Sequence, residues 1–90
     1  MSISVNIHKT HRHLMGDNDS VDVEGRTIGD CLRNLTRRYP GLEPVLFDKK
    51  GNLNSLLEVY LNLESTYPDE LKKPVKDGDE IQVTLLLSGG

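Results

Sequence analysis

The sequence has few of the residues that build disulfides, metal sites or membrane anchors. It contains no tryptophan, one phenylalanine and a single cysteine, Cys31. One cysteine cannot form an intramolecular disulfide, and it favours a reducing compartment. No stretch approaches the roughly 20 apolar residues of a membrane span, and the alternating residues 1–7 are unlike a signal peptide. We therefore expect a cytoplasmic protein with an aliphatic core.

The chain also lacks a surplus of basic residues. It has 11 lysines and arginines against 14 acidic residues, for a net charge of −3 over 90 residues. A nucleic-acid binder would need a basic face, so we expect neither a nucleic-acid nor a membrane partner. A single small domain leaves little room for a catalytic cavity. Because no nucleophile elbow or phosphate-binding loop is present, we predict that the chain is not an enzyme.

The first half of the chain predicts a hairpin followed by a helix. Apolar and polar residues alternate over 3–7 and again over 21–23, as in half-buried strands, and a polar loop over 9–19 joins them. Thr27 is expected to be the N-cap of a helix, and Asp30 is expected to occupy the third position of that helix. The apolar residues of this helix are spaced four, three and four apart: Ile28, Leu32, Leu35 and Tyr39.

The second half predicts further strands of the same sheet. Residues 42–47 are expected to pack as an irregular strand, and the alternation over 57–63 predicts a regular one. A single helical turn at 69–72 and a tight turn at 76–79 lead into the last strand, 81–86. This order predicts a two-layer α+β domain. The expected core residues are Ile3, Val5, Ile7, Val21, Val23, Ile28, Leu32, Leu35, Leu46, Leu57, Val59, Leu61, Ile81, Val83 and Leu85.

Two sets of side chains could have chemistry of their own. His8, His11 and His13 crowd the end of the first strand and its loop, but the loop offers no fourth zinc ligand. We interpret them as solvated loop residues and expect no metal site. Cys31 could be a nucleophile if it were exposed with a low pKa. Its place beside the apolar stripe instead favours a small, partly buried packing residue.

The last strand leads directly into Gly89-Gly90. Glycine has no Cβ, so the pair makes the tail thin enough for a narrow channel and leaves the final carbonyl unhindered. A C-terminal carboxylate that attacks the α-phosphate of ATP forms an acyl-adenylate, which a sulfur or amine nucleophile can open. We therefore predict that the chemistry takes place in a partner enzyme that takes in this tail.

The residues resemble a known family. The element order, the turn Lys76-Asp77-Gly78-Asp79-Glu80-Ile81 and the Gly-Gly end resemble the ubiquitin-like β-grasp proteins. The main predicted helix is similar to that of the ThiS/MoaD sulfur carriers. It runs from Thr27-Ile28-Gly29-Asp30-Cys31-Leu32 to Arg38-Tyr39-Pro40-Gly41-Leu42. The segments Leu46-Phe47-Asp48 and Val59-Tyr60-Leu61-Asn62 resemble the longer MoaD/CysO-like members. The resemblance covers the whole chain.

The resemblance implies a β-grasp fold, with a mixed sheet and one main helix packed on one face. It divides the chain into a ubiquitin-like domain over 1–87 and a flexible reactive tail over 88–90. Leu63 stands where many members have a glycine or an acidic residue, a difference expected to affect only a turn.

The function implied by the resemblance is that of a sulfur carrier, a protein co-substrate with no bound cofactor. A ubiquitin-activating-type adenylyltransferase would use ATP to adenylate Gly90, with Gly89 as its slender neighbour. The resulting thiocarboxylate would donate sulfur through a downstream sulfur-accepting synthase. The product would be cysteine or a related thiolated metabolite, or molybdopterin, while thiazole synthesis and tRNA thiolation stay open. A metalloprotease that trims or releases the tail is a further implied partner.

The resemblance also implies which face of the sheet meets partners. Tyr60 is expected to point outward, close to the tail, as an interface hot spot. The expected partner-binding residues are Glu58, Tyr60, Gln82, Thr84, Leu86, Leu87 and Ser88.

Two other functions stay open from the sequence. The same terminus could be joined to lysines of other proteins, which would make the chain a ubiquitin-like protein modifier conjugated through Gly90. Alternatively, the glycines could be incidental, and the chain could be a non-reactive interaction module that binds through the face around Tyr60.

Overall fold

A five-stranded mixed sheet forms one layer of the structure, a computed structural model that describes residues 2–85. The strand order is β2-β1-β5-β3-β4, in which β1 and β5 run parallel at the centre and the other neighbours are antiparallel. The mixed sheet predicted from the sequence is therefore present. The strands are β1 (Ser2–Ile7), β2 (Ser20–Glu24), β3 (Leu57–Leu61), β4 (Glu64–Ser65) and β5 (Glu80–Leu85).

The main helix, α1 (Ile28–Arg38), covers one face of the sheet. It begins where the sequence predicts, because Thr27 Oγ1 accepts a hydrogen bond of 3.1 Å from the backbone N–H of Asp30. Its Cys31, Leu32 and Leu35 side chains are fully buried. A second helix, α2 (Glu43–Leu46), is a single turn, and short 3₁₀ helices span Lys9–Met15, Pro40–Leu42 and Glu70–Lys72.

The core forms between α1 and the odd-numbered side chains of the strands. Val5 is opposite both Val21 and Ile81, and Val59 is opposite Val83, all of them buried. Even-numbered side chains therefore face away from α1. Of the expected core residues, Leu61 is only partly buried, and the side chain of Leu85 lies outside the described part of the chain. The core also contains residues that the sequence analysis did not include: Met15, Cys31, Leu42, Phe47 and Val75.

The predicted polar loop over 9–19 is wrong in its first part. Residues Lys9–Met15 form a 3₁₀ helix that ends at Gly16, whose φ of 66° is in the left-handed region. Met15 at the end of this helix is fully buried. A short helix that places one apolar residue in the core has no amphipathic repeat, so the periodicity of the sequence could not reveal it.

The predicted irregular strand over 42–47 is also wrong. The segment forms a 3₁₀ turn and then α2, with Pro44 in the first turn, where its missing N–H is tolerated. Leu42 and Leu46, four residues apart, are both fully buried, which is the spacing of a helical face. Phe47 then bridges to Leu53 across the following turn.

The predicted strand over 57–63 is shorter than expected. β3 ends at Leu61, and Asn62 and Leu63 form a two-residue turn into β4, with φ angles of 51° and 72°. Positive φ at both positions is the geometry of a type I′ hairpin, which usually contains glycine or asparagine. Leu63 therefore lies in a turn rather than in the predicted strand, and its side chain is 75% exposed.

A buried carboxylate ties the start of β5 to the end of β3. Asp79 accepts hydrogen bonds from Asn62 Nδ2 at 3.0 Å and from the backbone N–H of Lys76 at 2.9 Å. Asn62 Oδ1 in turn accepts from the backbone N–H of Glu80 at 3.0 Å. The bonds from Asn62 and Lys76 hold the pKa of Asp79 below its usual value. The cluster sets the register of the strand that leads to the C-terminus.

Side chains of α1 cover the free edge of β2. Asn34 Nδ2 donates to the carbonyl oxygen of Glu24 at 2.7 Å, and Arg38 Nη1 donates to that of Asp22 at 2.8 Å. An edge strand with free carbonyl groups would offer a template for another chain. These two bonds occupy backbone carbonyl oxygens on the outer edge of β2, so they disfavour pairing of this edge with a strand of another chain.

Replacing Leu63 by glycine is expected to stabilise the fold by about 0.5–1 kcal/mol. The left-handed conformation costs a non-glycine residue roughly 1–2 kcal/mol, part of which is offset by the greater freedom of glycine in the unfolded chain. Leu63 is 75% exposed, so little buried area is lost. Denaturant unfolding measures the change. Leu56→Gly, at an exposed leucine without positive φ, should destabilise instead, and a loss of stability in Leu63→Gly would contradict the strain argument.

Replacing Asp79 by asparagine should destabilise the protein near neutral pH. A carboxyl group whose pKa is lowered by folding stabilises the protein above its unfolded pKa of about 3.9, and this stabilisation is lost as pH falls through the folded value. The stability difference from the wild type should therefore narrow below about pH 4. Thermal unfolding across pH tests this, with Asp69→Asn as the control, since Asp69 makes no side-chain cap bond. A constant difference across pH would contradict the linkage.

Candidate functional site

Four of the predicted partner-binding residues lie together on the outer surface of the sheet. Glu58 of β3 is directly opposite Thr84 of β5, and Tyr60 is opposite Gln82. All four side chains are half-buried and face away from α1. We call this surface the β3–β5 face. The remaining predicted site residues, Leu86, Leu87, Ser88, Gly89 and Gly90, lie outside the described residues.

The polar centre of the β3–β5 face is a hydrogen bond between Tyr60 and Glu58. The Tyr60 hydroxyl donates to Glu58 Oε2 at 2.5 Å. This bond, together with the negative charge of Glu58, raises the pKa of Tyr60 above its usual value. Leu56, just before β3, is 55% exposed. A tyrosine held by a bond at its polar end provides an amphipathic contact surface of the kind found at interface hot spots.

A second feature lies on the other side of β5. The β1–β5 pairing continues past β1, because the backbone N–H of His8 donates to the carbonyl oxygen of Val83 at 2.9 Å. His8, Lys9 and Arg12 consequently lie beside β5. Together with Asn6, Ile7, Gln82, Val83 and Thr84 they line an open cleft of about 390 Å³. We call it the basic cleft. The sequence analysis did not predict this cleft. A parallel pairing of β1 with β5 would have indicated it, because the ends of two parallel strands lie side by side.

The three histidines do not converge on one point. His8 Nδ1 lies 2.8 Å from Thr10 Oγ1, and the same hydroxyl oxygen lies 3.1 Å from His11 Nδ1. His8 also accepts a bond from the backbone N–H of Thr10, which caps the 3₁₀ helix. His13 is exposed. His8 and His11 are thus bonded parts of a helix rather than solvated loop residues. Within residues 2–85, no three His, Cys, Asp or Glu side chains are grouped as metal ligands.

Cys31 is a core residue rather than a reactive one. Its side chain is fully buried, more completely than the sequence analysis expected. A Cβ added at Gly25 would lie only 2.6 Å from its Sγ, so the sulfur is packed tightly against the β2–α1 connection. Burial, with a smaller contribution from the charge of Asp30, raises the pKa of the Cys31 thiol to about 11. The thiolate needed for nucleophilic attack is therefore scarce at neutral pH.

Family membership follows from comparison with known proteins. The profile of the ThiS family matches residues 5–90. The chain belongs to the ThiS family. Residues 5–90 include the whole β3–β5 face, the basic cleft and the two terminal glycines. This confirms the resemblance to the ThiS/MoaD sulfur carriers on which the sequence analysis relied.

Individual relatives agree with this family. The sulfur carrier protein CysO of Mycobacterium tuberculosis is 28% identical over 93 residues, covering all of both chains. A chain in the crystal structure of the Amycolatopsis orientalis BexX/CysO complex has 27% identity and a TM-score of 0.87, covering 98% of this chain and 99% of that one. The small archaeal modifier protein 1 of Methanosarcina acetivorans has 27% identity and a TM-score of 0.84, covering 99% and 96%.

These similarities confirm several predictions. The ThiS-family chain has the β-grasp fold, and its CysO-like character agrees with the segments that suggested it. Family membership also confirms the prediction that the chain is not an enzyme, since sulfur carriers are substrates of partner enzymes. No helix among residues 2–85 combines the length and apolarity needed to cross a bilayer. The division at residue 87 and the cytoplasmic location stay predictions.

The Cys31 thiol is expected to resist modification in the native protein. Because it is buried and its pKa is raised to about 11, a disulfide-exchange reagent at pH 8 should react at least about a hundredfold more slowly than with the unfolded chain. The reaction is followed by absorbance in buffer and in concentrated guanidinium. With only one cysteine in the sequence, the signal is unambiguous, and similar rates in both conditions would contradict the buried placement.

Proposed function

We propose that the protein is a sulfur carrier whose Gly90 is activated by a ubiquitin-activating-type adenylyltransferase and converted to a thiocarboxylate. The observation that supports this most is the match to the ThiS family over residues 5–90, which includes Gly89-Gly90 on a β-grasp domain. The similarity to CysO supports the carrier role.

The proposed chemistry has two steps at the terminal carboxylate. A carboxylate oxygen of Gly90 attacks the α-phosphorus of ATP, and pyrophosphate leaves, which gives an acyl-adenylate. Hydrosulfide, delivered by a sulfur donor, then attacks the acyl carbon, the bond from that carbon to the AMP oxygen breaks, and AMP leaves. The sulfur loses its proton to solvent, and the product is the Gly90 thiocarboxylate. Each group required for these steps, apart from the carboxylate, belongs to a partner. The chain would need no bound cofactor, metal or catalytic residue of its own.

The domain would present the tail and provide the docking surface. β5 is held between β1 and β3, so the residues that follow Leu85 start from a rigid strand. Five extended residues reach at most about 17 Å, enough to enter a narrow channel of a partner. The β3–β5 face, with Tyr60 at its centre, lies beside this exit and would contact the enclosing enzyme.

The sulfur acceptor proposed first is a precursor of cysteine or of a related thiolated metabolite. The support is the similarity to CysO over the full length of both chains, and molybdopterin is the second choice. A sulfur-accepting synthase would be the downstream partner, and a metalloprotease would trim or release the tail.

A second candidate function is that of a protein modifier. The similarity to small archaeal modifier protein 1, at 27% identity and a TM-score of 0.84, favours it. In that case an amine of a target lysine would open the acyl-adenylate or a thioester derived from it, and an isopeptide bond would form at Gly90. Conjugates of high mass that resist reducing agents and require Gly90 would support this function.

Incubation with the purified adenylyltransferase from the same source, ATP and a sulfur donor should raise the intact mass by the replacement of one oxygen with one sulfur. Mass spectrometry measures the shift, which should vanish without ATP. A variant lacking Gly90 should show no shift while its circular dichroism stays that of the wild type, because Gly90 follows the last described strand, β5 (Glu80–Leu85). An unchanged mass of the wild-type chain, with an enzyme shown to be active, would refute the proposal.

A further inference from the structure

The basic cleft has positive charge that the domain leaves available. Lys9 is exposed and forms no ion pair within residues 2–85. Arg12 forms an ion pair of 3.3 Å with Asp19, yet 38% of its side chain is exposed, and its buried Nε has no hydrogen-bond partner. Lys9 is therefore the cation of the cleft that is available to a ligand outside the domain. Arg12 is partly exposed, but its charge is shared with Asp19.

The surroundings of the cleft have the opposite charge. The protein has a net charge of −3, and the outer surface of the sheet beside the cleft contains the carboxylates of Asp22, Glu58 and Glu80. The cleft is thus a local positive region on an acidic molecule.

The position of the cleft indicates what the partner is. Gln82, Val83 and Thr84 form one wall, and Thr84 is followed immediately by Leu85, the last described residue of β5. The five residues that remain reach at most about 17 Å from this point. An enzyme that encloses the end of the tail must therefore approach the cleft closely.

We propose that the basic cleft docks an acidic surface of the enzyme that takes in the tail. This inference rests on the proposed function, since it assumes that an enzyme receives Gly90. The β3–β5 face and the basic cleft share Gln82 and Thr84 of β5, so the enzyme would contact one continuous surface that extends from β3 across β5 to Lys9. The charge complementarity would align the enzyme on β5 before the tail enters its channel.

The exposure of Lys9 determines which rate constant it affects. Exposed charges at the rim of an interface mainly change the association rate and its salt dependence, whereas buried pairs change dissociation. The effect should also weaken as the Debye length falls from about 10 Å at 0.1 M salt to about 3 Å at 1 M. These two properties distinguish electrostatic docking from a packing role of Lys9.

The experiment compares charge reversals at two exposed lysines. The purified ubiquitin-activating-type adenylyltransferase from the same source is immobilised, and association of the full-length chain is measured by surface plasmon resonance at several salt concentrations. Lys9→Glu changes the cleft. Lys49→Glu makes the same change at an exposed lysine in the turn after α2, which is not among the residues that line the cleft. Thermal unfolding of both variants verifies that they fold.

Lys9→Glu is expected to lower the association rate about tenfold at low salt, with the difference shrinking to less than about twofold near 1 M. Lys49→Glu should stay within about twofold of the wild type. Equal rates for the two variants, or no binding of the wild type, would overturn the inference. A faster rate in Lys9→Glu would also overturn it, because it would mean that the positive charge of Lys9 opposes association with the enzyme.

The intact-mass assay on the same samples separates the two hypotheses. A wild-type chain that acquires sulfur while Lys9→Glu associates normally refutes the docking inference alone. A chain that binds through the cleft without acquiring sulfur refutes the proposed function and leaves the docking surface established.

Discussion

The parallel pairing of β1 with β5 is the constraint on which the rest of the structure depends. It joins residues near the two ends of the chain, with Val5 opposite Ile81 and Ile7 opposite Val83. A parallel pair buries one face only if a connection crosses that face, and α1 does so here, with Leu32 fully buried against the sheet. β2 and β3 then occupy the outer edges of this pair, so the sheet order follows from one central contact.

The same pairing determines the surroundings of the C-terminus. Because β5 has a neighbour on each side, its backbone is bonded along both edges. The hydrogen bond between Asn62 and Asp79 additionally holds the residues at its start. The described part of β5 ends at Leu85, directly after Thr84, which belongs to both the β3–β5 face and the basic cleft. A central strand is a rigid base for a chain end, whereas an edge strand could fray. This arrangement suits the proposed entry of Gly90 into a partner enzyme.

The groups that might have supplied chemistry within residues 2–85 are instead used for structure. Cys31 fills the core, His8 and His11 share the hydroxyl of Thr10, and Asp79 holds a turn. Each is bound by neighbours that reduce its availability to a substrate. A carrier protein needs a stable domain and accessible docking surfaces, and these contacts contribute to the stability.

The sequence alone determined the elements with strong local signals. Side-chain periodicity indicates the strands β1, β2 and β5 and the apolar stripe of α1. A local hydrogen bond determines the Thr27 cap. These elements could therefore be predicted directly from the sequence. The helical segments Lys9–Met15 and α2 could not, because a turn with one or two buried residues has no repeat. The turn at Asn62 and Leu63 was hidden because leucine continued the alternation of β3.

For the site, the sequence determined the residues of the β3–β5 face only with the help of a family resemblance, because the sheet neighbours of a strand cannot be deduced from its own pattern. Tertiary structure decided that Glu58 lies opposite Thr84, that Tyr60 lies opposite Gln82, and that Lys9 lies beside β5. These proximities join residues that are far apart in the chain. They arise from burial of the shared core, which acts through the whole fold rather than through any local segment.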